Sequence, residues 1–176
     1  HRRERHGEIR DYLPNWYASD RPVGVPSDDT QLAFWTLEHL LELDGLVPDE
    51  LARVFASRRI YGKGQSVSHF IREYDKGLSW HEAAAPSAGN GALMRIAPIV
   101  IPHLRTGGAA LWSDTALCAA ITHNDPGSIA ACVAFAGMLA ELLTMDEPPD
   151  QVWWHERYVA LARQVEGDDA RYKPRG

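Results

Sequence analysis

Ser27-Asp28-Asp29-Thr30-Gln31-Leu32-Ala33-Phe34-Trp35-Thr36-Leu37-Glu38-His39-Leu40-Leu41-Glu42-Leu43 opens on hydroxyl and acidic groups and then turns apolar at helical spacing. Leu32, Trp35, His39 or Leu40, and Leu43 follow steps of three and four, which puts them on one face of an α-helix. The spacing predicts a helix over 28–43, closed by Asp44-Gly45.

The same period recurs outward from this stretch, and the alternation of a half-buried strand is almost absent. Pro48-Asp49-Glu50 opens a second helix that carries Leu51, Val54 and Phe55. The turn Tyr61-Gly62-Lys63-Gly64 precedes a third through His69, Phe70 and Tyr74. Ala92 to Ile101 reads as a buried helix bent or closed by Pro98 and Pro102. Gly107-Gly108 resets the chain for a helix through Leu111, Leu117, Cys118 and Ile121. Asp125-Pro126 supplies an N-cap and a first-turn proline for a helix with Ile129, Val133, Ala136, Ala140 and Leu143 on one stripe. After Pro148-Pro149, a last helix is expected over 150–165 through Trp153, Tyr158, Val159 and Leu161. The expectation is an all-α bundle in a single helical domain over residues 1–176.

Composition narrows the function classes. A net charge of -6 speaks against nucleic-acid phosphate as the main partner. The longest apolar run, Ile129 to Ala140, is too short to span a bilayer, so no membrane role is expected. Cys118 and Cys132 sit in Ala-rich apolar stretches without metal-site spacing, as buried free thiols do, which fits a reducing cytoplasm. The chain begins at His1 in a basic stretch and stops at Tyr172-Lys173-Pro174-Arg175-Gly176, and it reads as an excerpt of a longer chain.

Four segments carry chemistry, each with a plainer reading beside it. Ser27, Asp28 and Asp29 put a hydroxyl and two carboxylates at a helix start, the oxygen donors that Mg²⁺ or Mn²⁺ prefers. On spacing alone, a capping box of Asp28 with Gln31 is the favoured alternative. Gly89-Asn90-Gly91, running into Met94 and Arg95, exposes backbone amides suited to a phosphate; the alternative is a tight turn. Tyr61 and Gly62 lie in a glycine turn that either faces a ligand or joins two helices. Thr122-His123-Asn124-Asp125-Pro126 sets an imidazole just before a helix, beside ligand oxygens or in a capping loop.

Order and context join these segments. Ser27-Asp28-Asp29-Thr30-Gln31 resembles the T-D-D-T-Q segment of the ADP-ribosylglycohydrolase family, and Tyr61-Gly62-Lys63-Gly64 its R-G-Y-G-x-G turn. Gly89-Asn90-Gly91-Ala92-Leu93-Met94-Arg95-Ile96-Ala97-Pro98 is close to the family's G-N-G-A-A-M-R-I-A-P signature, the most specific match. Thr122-His123 before Asp125-Pro126 resembles its T-H-x-x-P segment, and the likeness covers most of residues 24–143.

The resemblance implies an all-α orthogonal bundle of the ADP-ribosylglycohydrolase type with two Mg²⁺ or Mn²⁺ ions in a cleft. It makes Ser27, Asp28 and Asp29 metal ligands, with Asp28 and Asp29 catalytic as well. It assigns ADP-ribose to Gly89, Asn90, Gly91, Met94 and Arg95, with His123 lining the cleft and Tyr61 and Gly62 at its border. The implied activity is hydrolysis at the ribose anomeric carbon, releasing ADP-ribose from a modified protein or a small conjugate. A non-catalytic ADP-ribose-binding or structural member of the fold is the alternative. An unrelated helical interaction domain, its Asp pair a mere cap, is the reading from another class.

Two family segments have no counterpart. No G-D-x-x-G precedes Ser27, and no D-x-D-T/S follows the last helix; the late pair Asp168-Asp169 does not match it. The other metal ligands are therefore expected from the remainder of the natural chain.

Overall fold

A computed structural model describes residues 7–8, 12–13, 22–106 and 108–166. Asp168-Asp169, Gly107 and the terminal stretches from which an excerpt was read lie outside the described residues. The fold is all-α: among the described residues there is no strand, and one isolated parallel bridge joins Ala85 to His123.

Helix α1 spans Asp28–Leu43 and buries Leu32, Thr36, His39 and Leu40. Trp35 is half-buried, whereas Leu43 is exposed, because the buried stripe ends one turn before the helix does. Asp44 closes the helix in the left-handed region at φ 54°. His39 accepts a hydrogen bond at Nε2 from the Val47 amide at 3.0 Å, tying α1 to α2 (Pro48–Ser57). Proline at the first turn of α2 spares an amide that no helical carbonyl could pair. Leu51, Ala52 and Phe55 of α2 then meet Val67 and Phe70 of α3 (Gln65–Tyr74) in the main core.

Short helix α4, Trp80–Ala83, is an element that the apolar spacing does not announce; Ser79 and Glu82 form the capping box that starts it. The buried helix expected over Ala92 to Ile101 is instead two 3₁₀ segments, Leu93–Arg95 and Ala97–His103. Pro98 and Pro102 have no amide to donate and their rings crowd the carbonyl four residues back. The chain keeps its inward face, with Ile96, Ile99 and Val100 buried, through i to i−3 bonds such as Ile99 N to Ile96 O at 3.0 Å.

Helix α5 (Gly108–Ala120) buries Leu111, Thr115, Cys118 and Ala119. Asp125 caps α6 (Pro126–Leu142) by accepting from the Gly127 amide at 3.0 Å, as the sequence indicated. Of the anticipated α6 stripe, Val133 and Ala136 are buried, Ile129 and Ala140 half-buried, and Leu143 exposed beyond the helix end. Helix α7 (Gln151–Glu166) packs on α6 through Leu161, whose Cδ1 would stand 3.1 Å from a Cβ on Gly137. Glycine at 137 thus sets how closely the two helices approach. Cys118 and Cys132 are buried free thiols, and burial pushes Cys132 up to about 12. No described helix is long and apolar enough to cross a membrane.

Candidate functional site

Helix starts and the turns before them carry the candidate site. Ser27, Asp28 and Asp29 form the first turn of α1, and the Tyr61–Gly64 turn is folded against them. The Asp28 amide donates to the Tyr61 carbonyl at 2.7 Å. Gln31 clamps the same segment from one turn along α1: its amide nitrogen donates to Arg59 O at 3.1 Å, and its oxygen accepts from Tyr61 N at 2.8 Å. Gly62 adopts φ +79°, where a side chain is strained, and a Cβ there would stand 3.6 Å from Asp28 Oδ1. Glycine therefore lets the turn wrap the carboxylate.

This geometry departs from the capping-box alternative for Asp28 and Gln31. Ser27 is the N-cap residue and makes no side-chain cap bond, and Gln31 reaches away from the helix start. Ser27 Oγ instead donates to Asp29 Oδ2 at 2.9 Å. Asp28 is buried and Asp29 exposed. Burial raises the Asp28 carboxyl above its ordinary range and the Asp29 charge adds to the rise; amides of Asp29, Asp28 and Gly64 partly offset both. Two adjacent carboxylates, one disfavoured as an anion, form a donor set whose charge a bound cation would relieve. In kind these oxygens fit a hard divalent ion. In number they fall short, since among the described residues no group of three or more His, Cys, Asp and Glu side chains is placed to hold a metal.

Tyr61 is half-buried with the Arg59 guanidinium 4.8 Å from its ring centroid, so one ring face is already covered. An open cleft of about 530 Å³ runs from Lys63 and Gly64, past the first turns of α3, to Ala85 and Ser87. Its end residues touch the neighbouring segments: the Gly64 amide pairs with the Asp28 carboxyl, and Ser87 Oγ accepts from the Gly89 amide at 3.3 Å.

In that loop Gly89 and Gly91 lie against His123. A Cβ on Gly91 would stand 2.8 Å from His123 Cε1, and one on Gly89 3.6 Å from its Nε2. Ser128, in the first turn of α6, donates to Gly89 O at 3.0 Å. Asn90 is exposed, and its carbonyl accepts from Leu93 N at 3.0 Å. His123 is 2 % exposed, held by the Ala85 bridge and by Thr122 Oγ1, 2.9 Å from its Nδ1. Burial, with the Arg95 charge second, lowers this imidazole to about 4, so the ring is neutral at physiological pH.

Met94 and Arg95 lie behind the loop. Met94 is half-buried against the main core. Arg95 is fully buried, its guanidinium 4.9 Å from the Phe55 ring centroid and bonded to Cys118 and Thr122. Its bonds point into the protein, away from the direct ligand contact expected from the sequence. The structure thus gathers Asp28, Tyr61 and Gly62 in one cluster and Gly89, Gly91 and His123 in another. Gln31, Thr122 and Ser128 escaped the sequence reading as site residues. For Thr122 and Ser128 the available signal was a hydroxyl immediately flanking the His123–Pro126 turn.

An uncharacterized protein of Archaeoglobus fulgidus is 32% identical to this chain over 146 residues, covering 78% of this chain and 46% of that relative. The chain therefore spans about half the length of the curated relative it matches. The family model described as ADP-ribosylglycohydrolase matches residues 1–173, essentially the whole chain. With the glycine loop, the paired carboxylates and the buried imidazole all inside that match, this chain belongs to the ADP-ribosylglycohydrolase family.

Proposed function

We propose that the protein is a metal-dependent hydrolase that releases ADP-ribose from a modified protein or a small conjugate by cleaving the bond at the ribose anomeric carbon. The observation that carries this reading, beside family membership, is Asp28: a buried carboxylate next to a second carboxylate, wrapped by a glycine turn and raised above its ordinary range by burial. Such an arrangement costs stability unless a cation or a proton occupies it.

Ser27, Asp28 and Asp29 would hold Mg²⁺ or Mn²⁺, with the remaining ligands of a two-ion site supplied by chain outside residues 1–176. Such ions, held there, would supply Lewis-acid polarisation of oxygen atoms of the ribose and of a water. As water adds to the anomeric carbon and the bond to the target atom breaks, one of Asp28 and Asp29 would take up the proton of the water, the other would offset the positive charge on the sugar, and a proton would pass to the departing atom of the target. Gly89, Asn90 and Gly91 offer backbone amides to the diphosphate, Met94 supports that loop, and Arg95 acts from behind it. His123 contributes a neutral ring to the cleft, while Tyr61 and Gly62 border it. The reading includes one helical domain and a cytoplasmic setting, with an ADP-ribosylated protein or small conjugate as the partner.

Calorimetric titration of ADP-ribose into the full-length chain, with Mg²⁺ and then with chelator, tests the pocket; a hydrolysis assay on ADP-ribosylated protein tests turnover. Metal-dependent binding that disappears in the Asp28→Ala/Asp29→Ala variant is expected. Binding without turnover would favour a non-catalytic ADP-ribose-binding role. No binding by the full-length chain would overturn the ADP-ribose assignment.

A further inference from the structure

His123 is approached from the protein interior by a chain of buried polar side chains. Arg95, at the end of the first 3₁₀ segment, is 0% exposed. One terminal nitrogen donates to Cys118 Sγ at 2.9 Å and the other to Thr122 Oγ1 at 2.8 Å. Its Nε has no hydrogen-bond partner among the described residues. A guanidinium so completely desolvated is a costly way to fill space, which asks for a purpose beyond packing.

The direction of the bonds supplies one. An arginine only donates, so its contact with Thr122 uses a lone pair of the hydroxyl. The hydroxyl keeps one proton and a second lone pair, so its 2.9 Å contact with His123 Nδ1 can run in either direction; His123 Nδ1 is the acceptor that the described residues place beside that proton, which favours donation to the ring. A ring nitrogen that accepts this proton carries none itself. A neutral imidazole in that state bears its N–H on Nε2. The Nε2 edge is the one turned toward the glycine loop, 2.9 Å from a Cβ placed on Gly91 and 3.6 Å from one on Gly89.

We propose that Arg95 and Thr122 form a positioning relay that fixes His123 as its Nε2–H tautomer, so that the ring offers a hydrogen-bond donor to an oxygen of the ligand lying on the Gly89–Gly91 loop. The identity of that ligand as ADP-ribose rests on the function proposed above; the tautomer does not. The assignment makes Arg95 a residue that acts on the ligand through Thr122 and His123, and it gives Thr122 a part that packing would not require. With its direction set from behind, the imidazole loses little freedom when the ligand arrives.

Long-range ¹H–¹⁵N correlation of the imidazole rings in the ligand-free full-length chain tests the relay at neutral pH, with His123→Gln identifying the His123 signals. Wild-type protein is expected to show His123 as a single Nε2–H tautomer. Thr122→Ser, which keeps the hydroxyl, is expected to retain it, and Thr122→Val to lose it or mix the two forms. An Nδ1–H tautomer in the wild type would overturn the relay, as would an unaltered Nε2–H population in Thr122→Val. Should Thr122→Val not fold, Thr122→Cys, a much weaker donor, takes its place with the same two outcomes. ADP-ribose affinity, measured in parallel, should fall about tenfold in the variant that loses the tautomer and stay near wild type in Thr122→Ser. Failure of ADP-ribose to bind any of these proteins would count against the proposed ligand, whereas the tautomer decides the relay alone.

Discussion

Gly91 and His123 are in contact through a space that no side chain can enter. A Cβ on Gly91 would stand 2.8 Å from Cε1 and 2.9 Å from Nε2 of the imidazole. The ring is 2 % exposed and is bonded on its far side by Thr122, so it has no room to retreat. Gly91→Ala should therefore push the imidazole out of line or open the loop, at a cost of about 1–3 kcal/mol for overpacking. The checks are the change in Tm and the affinity for ADP-ribose. A variant with unchanged Tm and unchanged affinity would show that the ring moves freely.

Gln31 and the 59–61 segment give a second prediction. The Gln31 side chain both donates to Arg59 O and accepts from Tyr61 N. Gln31→Ala removes both bonds and leaves the Tyr61 turn attached to α1 through the Asp28 amide. The expected loss of stability is about 1–3 kcal/mol. Gln31→Glu keeps an acceptor for Tyr61 N but sets a carboxylate oxygen against Arg59 O, so it should rescue only part of that loss. Chemical denaturation of the three proteins separates these outcomes, and equal stability of wild type and Gln31→Ala would deny the clamp.

These two cases mark what was legible in the sequence and what was not. Period and caps announce α1 with the ends it has in the fold, because Leu32, Leu40 and the Asp44-Gly45 stop depend only on local spacing and backbone freedom. The two 3₁₀ segments were read as one buried helix because apolar content records burial, whereas the hydrogen-bond pattern was decided by the missing amides of Pro98 and Pro102. Gln31 looked like half of a capping box, since i to i+3 spacing cannot say which way a long side chain turns. Arg95 was read as a ligand contact from its place beside the glycine loop; its direction depends on Cys118 and Thr122, 23 and 27 residues away. Local chemistry is written in the sequence, while side-chain direction is settled by partners distant along the chain.

Asp28 yields a prediction in which stability and binding move in opposite directions. Its folded-state carboxyl is raised above the ordinary value, chiefly by burial and then by Asp29. A raised carboxyl favours folding while protonated, and that contribution is lost as pH rises through the folded value, so at neutral pH the ionised group destabilises the metal-free protein. Asp28→Asn removes the charge with little change of shape and should raise the Tm of the metal-free chain at pH 7. The same change removes a proposed ligand, so affinity for Mg²⁺ or Mn²⁺ in the full-length chain should fall by at least about tenfold. A lowered metal-free Tm with intact metal binding would return Asp28 to a purely structural role.

His123 makes the fold sensitive to mild acid. Its imidazole stands at about 4 in the folded protein against an ordinary 6.5, through burial first and the Arg95 charge second. Between these values the unfolded chain binds a proton that the folded chain refuses, so stability falls as pH drops from about 6.5 and stops falling, for this group, below about 4. A shift of this size is worth on the order of 1–3 kcal/mol after solvent screening. His39, also lowered by burial, adds a loss of the same sign. His123→Gln removes the titration and leaves the His39 contribution, so the variant's stability should decline more shallowly with acid. Denaturant unfolding of both proteins at pH 7, 5.5 and 4.5 measures the difference. Parallel decline in the two would mean that His123 becomes protonated in the folded protein as readily as in the unfolded chain, and that the buried ring is not kept neutral.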